Sequence, residues 1–141
     1  MPSLTYGPES INNVAQTLLA AHPDAAVFTF TGPLGAGKTT LIQAMLRMLG
    51  VTEPITSPTF AYVNLYEAAN NITIYHFDCY RLPTTQSFVS AGFDEYLYAP
   101  QSIAFIEWPE VVQPLLTHKV CNITLEYEGT EQRTLTYTWK G

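Results

Sequence analysis

Apolar residues first recur at helical spacing near the N-terminus, where Ile11, Val14, Ala15, Leu18 and Leu19 share one face. Pro8 and Glu9 suit the first turn of that helix, because proline lacks only an amide that a helix start cannot use. Ala25 to Thr31 (AAVFTFT) is then a continuous apolar run of strand length, stopped by glycine and proline. A second helical pattern follows, with Leu41, Ile42, Met45, Leu46 and Leu49 on one face and Gly50 as its cap. Phe60 to Tyr66 and Ile72 to Phe77 read as strands joined by a polar turn at Asn70 and Asn71. Thr84 to Leu97 is short helical or irregular, and Ile103 to Ile106 is a compact strand. Pro109 opens a predicted helix carrying Val111, Val112, Leu115 and Leu116, and two strands, Val120 to Tyr127 and Gln132 to Trp139, flank a turn at Glu128 and Gly129. Helices interleaved with strands predict a three-layer α/β/α domain, and the paired C-terminal strands predict a mixed, partly parallel central sheet.

Chemistry enters at the end of the first strand. Gly32-Pro33-Leu34-Gly35-Ala36-Gly37-Lys38-Thr39 satisfies G-x-x-x-x-G-K-[ST], and it lies between a predicted strand and a predicted amphipathic helix, the context its mechanism requires. Glycines let the backbone curl so that amides point at phosphate oxygens, and the following helix adds its positive N-terminal end. The segment Gly35, Ala36, Gly37, Lys38, Thr39 and Thr40 is therefore the expected nucleotide-binding loop of a P-loop NTPase-like domain. Lys38 reaches the β- and γ-phosphates, and the Thr39 hydroxyl coordinates Mg²⁺. No asparagine is followed by lysine, so the Asn-Lys-x-Asp segment common in guanine-specific P-loop proteins is absent and ATP is favoured over GTP.

Such a loop needs a second acid, commonly at the C-terminal end of a neighbouring apolar strand. Ile103-Ala104-Phe105-Ile106-Glu107 fits with glutamate in the acidic place, and Ile72 to Asp78 also ends in an acid. For each, an ordinary solvated carboxylate is the plainer alternative. His76 is a base or ligand candidate, though a lone histidine in a strand is more often structural. His22 and His118 sit near predicted helix ends, where positive charge is tolerated.

Composition narrows the partners. A chain of 141 residues fits one domain, residues 1–141, and 47% hydrophobic with 13% charged residues argues against disorder. Cys79 and Cys121, with no Cys-x-x-Cys spacing, read as reduced, buried small side chains. No run is long and apolar enough to cross a membrane, and Met1 to Pro8 lacks the basic start and apolar run of a signal peptide, so a cytoplasmic location is expected. With 6 Lys+Arg against 12 Asp+Glu the formal net charge is −6, and Lys38, Arg47, Arg81 and Arg133 are scattered rather than clustered. A protein that serves RNA or DNA with this charge does so through another protein.

The P-loop motif is followed in order by Ser57-Pro58-Thr59-Phe60, His76-Phe77-Asp78-Cys79-Tyr80-Arg81, and Glu107-Trp108-Pro109-Glu110, with Gly92-Phe93-Asp94-Glu95-Tyr96-Leu97 between the last two. The series resembles the TsaE (YjeE) family, bacterial ATPases needed to make threonylcarbamoyladenosine in tRNA, over roughly residues 8 to 115. The resemblance implies that Lys38 and Thr39 serve the phosphates and Mg²⁺, that Glu107 is a metal-side acid, and that Asp78 is the acid required for turnover. It also implies a nucleotide-sensing switch at Thr59 and a tryptophan, Trp108, beside the nucleotide, for which a core aromatic at a strand end is the plainer reading. Cys79 departs from the family's usual leucine, and Ala61 and Tyr62 stand where polar residues are common.

The resembled family acts on the pair TsaD and TsaB, coupling ATP turnover to tRNA modification. This implies slow hydrolysis by the isolated chain and faster hydrolysis with that pair, since a partner can supply a missing arginine. Arg81 is the motif arginine here, and its role is open. A small-molecule P-loop kinase and a nucleotide-gated binding module are the alternatives. The first lacks an arginine-rich lid between Asp78 and Ile103, and the second leaves Asp78 and Glu107 without a purpose.

Overall fold

The computed structural model describes residues 2–58 and 61–141. In chain order the elements are β1 Ser3–Tyr6, α1 Ile11–Ala21, β2 Val27–Thr31, α2 Lys38–Met48, β3 Val63–Glu67, β4 Thr73–Asp78, α3 Thr85–Ser90, β5 Ser102–Glu107, β6 Val120–Glu128 and β7 Gln132–Lys140. Among the described residues all strands join one seven-stranded sheet in the order β1-β7-β6-β2-β5-β4-β3. The inner four, β6, β2, β5 and β4, run parallel. Antiparallel pairs β6–β7, β7–β1 and β4–β3 complete the two flanks. The expected α/β fold with a mixed, partly parallel sheet is what the chain forms.

Period-two alternation along the parallel strands sorts side chains to two faces. Phe28 and Phe30 of β2, Phe105 of β5, and Cys121, Ile123 and Leu125 of β6 pack under α1 and α2 against Val14, Leu18, Leu41 and Met45. The intervening Val27, Ala104, Ile106 and Val120, with Phe77 of β4, face the other side, where Phe88 of α3, Leu97, Val112 and Leu116 cover them. Helical or turn layers therefore bury both faces, as a largely parallel sheet requires. Among the described residues no helix is long and apolar enough to cross a membrane.

Several elements differ from the expectation. The helix predicted from Pro109 is instead two short 3₁₀ turns, Pro109–Val111 and Gln113–Leu115. Pro114 explains the break: it has no amide to continue a helix and disfavours helical backbone at Gln113. The strand expected from Phe60 begins only at Val63, because Tyr62 takes a left-handed conformation (φ 65°), and Phe60 itself lies outside the described residues. Asn70 and Asn71 form the polar turn with positive φ, a conformation asparagine tolerates well. The stretch from Thr84 to Leu97 contains α3, capped by the Thr84 hydroxyl accepting from the Ser87 amide at 3.1 Å, and then a 3₁₀ turn at Phe93–Tyr96. β1 is an addition, too short to announce itself by alternation and defined by pairing with β7.

Phe105 sits at the centre of the first face, fully buried and stacked on Phe28 and Phe30 with ring centroids 5.1 and 6.1 Å away. Replacing it by alanine removes the ring from between two others and leaves a cavity, so Phe105→Ala is expected to lower the unfolding free energy by about 3–5 kcal/mol, read from urea denaturation. Both thiols are buried, and burial pushes Cys79 up to about 12 and Cys121 up to about 11 from an ordinary 9.0, with Asp78 and Glu110 adding to the shift at Cys79. The unfolded chain thus releases these protons first, and above about pH 9 it binds fewer protons than the folded chain. Stability then falls as pH rises. Urea midpoints should decline between pH 8 and pH 10, and the Cys79→Ala/Cys121→Ala variant should show a shallower decline.

Candidate functional site

Parallel pairing sets the site. β2 lies between β5 and β6, so the loop leaving its C-terminal end emerges beside the C-terminal ends of β5 and β4. The β4–β5 register pairs Asp78 with Glu107, and the β2–β5 register pairs Phe30 with Glu107. Carboxylates from two strands and the glycine-rich loop from a third therefore share one edge, the usual ligand edge of a parallel sheet.

The loop is shaped by two of its glycines. Gly32 approaches the backbone so closely that a Cβ there would lie 2.5 Å from the Leu125 carbonyl oxygen, and Gly37 caps α2 in the left-handed region at φ 92°. α2 begins at Lys38, which leaves its first-turn amides and positive end at the loop. The far side of the loop is braced by the β6–β7 hairpin. The Tyr127 hydroxyl donates to the Leu34 carbonyl at 2.9 Å, and Arg133 Nε donates to the Ala36 carbonyl at 3.2 Å. Tyr127 and Arg133 are cross-strand partners, and the guanidinium lies 4.5 Å from the ring centroid.

A cavity of about 310 Å³ opens at this edge, lined by Leu34, Gly35, Ala36, Gly37, Lys38, Thr39, Thr40, Ser57, Asp78, Glu107 and Trp108. The sequence-predicted loop residues, both acids and Trp108 thus surround one space. Thr59 lies outside the described residues. Lys38 is almost fully buried, and its Nζ donates to the carbonyls of Gly32 and Pro33 while lying 3.9 Å from the Trp108 ring centroid. Burial pulls its pKa below the ordinary lysine value, with Glu107, Asp78 and Glu110 pulling the other way. Trp108 holds a left-handed backbone conformation (φ 56°) at the start of the 3₁₀ turn, which turns the chain away immediately after Glu107.

Glu107 is the most constrained acid. It is 4% exposed, its Oε1 accepts from the Thr39 hydroxyl at 2.8 Å, and its Oε2 is 2.7 Å from His76 Nε2. Asp78 is less enclosed, with Oδ1 accepting from the Tyr80 amide at 3.0 Å and Oδ2 from the Ser57 hydroxyl at 3.4 Å. Thr39 and Glu107 form an oxygen pair of the hard kind that suits Mg²⁺, beside the glycine-rich loop. Arg81 stands at a neighbouring cavity of about 240 Å³ with Leu34, Asp78, Tyr80 and Trp108. His22 and His118 are elsewhere, stacked on Trp139 and Tyr98.

A further cavity of about 200 Å³ shares Gly37 and Thr40 with the first and is walled by Tyr6, Gly7, Pro8, Ile11, Glu131 and Arg133. The sequence gives these residues no site role: Pro8 and Ile11 read only as the start and apolar face of α1, and Arg133 as a scattered cation. Their only signal is spatial. The same holds for the pairing of His76 with Glu107, whereas Ser57 was already marked by the Ser57-Pro58-Thr59-Phe60 motif.

The model of the family described as "Threonylcarbamoyl adenosine biosynthesis protein TsaE" matches residues 5–135. A tRNA threonylcarbamoyladenosine biosynthesis protein TsaE from Bacillus subtilis is 31% identical over 137 residues, covering 97% of this chain and 84% of that protein. The protein of the same description from Haemophilus influenzae is 37% identical over 135 residues, covering 90% and 84%. The crystal structure of Bacillus subtilis YdiB superimposes with a TM-score of 0.75 at 28% identity, covering 99% of this chain and 87% of that one.

Removing the Thr39 hydroxyl while keeping its shape strands a buried carboxylate oxygen. Thr39→Val should therefore lower the unfolding free energy of the nucleotide-free protein by about 1–3 kcal/mol in urea denaturation.

Proposed function

The chain belongs to the TsaE family, and we propose on that premise that it is a Mg²⁺-dependent ATPase serving the TsaD–TsaB pair in the cytoplasm. Its relatives are proteins of tRNA threonylcarbamoyladenosine biosynthesis, and this chain takes part in the same biosynthesis. The observation that carries the ATPase reading is the Thr39–Glu107 hydrogen bond at the start of α2, beside Lys38 and opposite Asp78.

On this reading the first-turn amides of α2 and the loop backbone receive the β- and γ-phosphates, and Lys38 exchanges its loop carbonyls for phosphate oxygens. Thr39 and Glu107 would hold Mg²⁺, which neutralises charge on the transferring phosphate. Asp78 lines the same cavity, its carboxylate held by the Ser57 hydroxyl and the Tyr80 amide, and would act at the transferring phosphate. Trp108 covers the lysine. The nucleoside end extends past Gly37 and Thr40 into the second cavity, whose walls of Tyr6, Pro8 and Ile11 suit a flat base.

An acidic chain of −6 has little purchase on tRNA, which is why the partner pair belongs in the reading. ATP hydrolysis measured on the isolated protein should be slow, and should rise by about tenfold or more when its cognate TsaD–TsaB pair is added, in the direction of a partner completing the site. Lys38→Ala should abolish both rates. An unchanged rate with the pair would remove the partner-stimulated ATPase and leave only nucleotide binding.

A further inference from the structure

His76 is fully buried in the middle of β4, yet of its two ring nitrogens only Nε2 is bonded among the described residues. A buried polar atom left without a partner is costly, and it calls for a reason beyond packing, since an apolar side chain would fill the same space without that cost. The reason lies across the sheet. In the β4–β5 register His76 is level with Phe105, so Glu107 is its diagonal neighbour on the same face, within reach of the imidazole. A carboxylate oxygen only accepts, so Nε2 is the ring nitrogen that donates to Glu107.

The result is a chain of hydrogen bonds: His76 Nε2 to Glu107 Oε2 at 2.7 Å, and Thr39 Oγ1 to Glu107 Oε1 at 2.8 Å. With both oxygens engaged on opposite sides, the carboxylate cannot rotate about its terminal bond without breaking one of them. We propose that His76 is a positioning residue, which fixes Glu107 through Oε2 so that Oε1 stays with Thr39 as the oxygen pair that takes Mg²⁺. This rests on the reading of the site as a Mg²⁺–nucleotide site. Partners behind a metal-binding carboxylate commonly contribute 10–100-fold to metal affinity.

The test compares ADP binding in Mg²⁺ with ADP binding in EDTA, by calorimetry, for the wild type and for His76→Gln, His76→Asn and His76→Leu. Glutamine places an amide donor near the position of Nε2, whereas asparagine, equally polar, is too short to reach Glu107. Wild type and His76→Gln should gain affinity from Mg²⁺. His76→Asn and His76→Leu should lose about 10–100-fold of the metal's affinity, while ADP affinity in EDTA stays within about twofold of wild type. Circular dichroism melts identify any variant whose loss comes from unfolding, and the glutamine–asparagine comparison stands even if leucine does not fold. A Mg²⁺ gain retained in His76→Asn would overturn the inference alone. A wild type whose ADP affinity ignores Mg²⁺ would overturn the reading of the site and this inference with it. Nitrogen-15 NMR of the His76 ring gives a readout that involves no ligand: a proton on Nε2 supports the donor assignment, and an Nε2 without a proton overturns it.

Discussion

A buried carboxylate has to be held, and at Glu107 that requirement organises the site. The side chain is 4% exposed at the end of a strand flanked on both sides by others. Leaving either oxygen unpaired there would cost more than a typical hydrogen bond contributes. One oxygen is satisfied from α2 and the other from β4, so Glu107 ties the helix that follows the glycine-rich loop to the strand that carries Asp78. The loop's place over the sheet edge follows from that tie and from the hairpin on its other side, where Tyr127 and Arg133 hold carbonyls of Leu34 and Ala36.

The antiparallel flanks thus have a chemical part as well as a structural one. β6 is parallel to β2 and continues beyond it to Glu128, and β7 returns alongside. The overhang carries Tyr127 and Arg133 as direct cross-strand partners at the level of the loop. β1 then pairs with β7 and brings Tyr6 to the cavity wall. Elements that look peripheral in chain order, β1 with the turn after it and the β6–β7 hairpin, enclose one end of the site.

Much of this was legible from the sequence and some of it could not be. Strand, glycine-rich loop and helix announced themselves together around Lys38, because periodicity, glycine placement and the motif all bear on the same residues. Asp78 and Glu107 were identifiable as acids ending apolar strands, and the sheet brings both to the loop. What sequence could not supply was register. Nothing in the chain says that β4 pairs with β5 so that His76 and Glu107 are diagonal, and a lone histidine in a strand carries no partner with it. Nor does local pattern reveal that Arg133, one of six scattered cations, reaches a carbonyl 97 residues away. The one helix expected and not formed, after Pro109, failed because apolar spacing at Val111, Val112, Leu115 and Leu116 outweighed Pro114 in the reading. In the chain, the missing amide of that proline decided the outcome.

The segment between the two acids bears on the rival reading as a kinase. Such an enzyme would use that stretch as a lid of cations over the phosphates. Here it is spent on packing. Phe88 and Phe93 lie against Phe77 with ring centroids 5.3 and 5.8 Å away, and Tyr96 stacks on Tyr75 at 4.7 Å. These contacts fasten α3 and its 3₁₀ turn onto the second face of the sheet, where they bury the backs of β4 and β5. A segment anchored by that much aromatic area is not free to fold over a nucleotide, since opening it would expose the core. What the segment offers the site is its first residues, Tyr80 and Arg81, which line the neighbouring cavity with Leu34, Asp78 and Trp108.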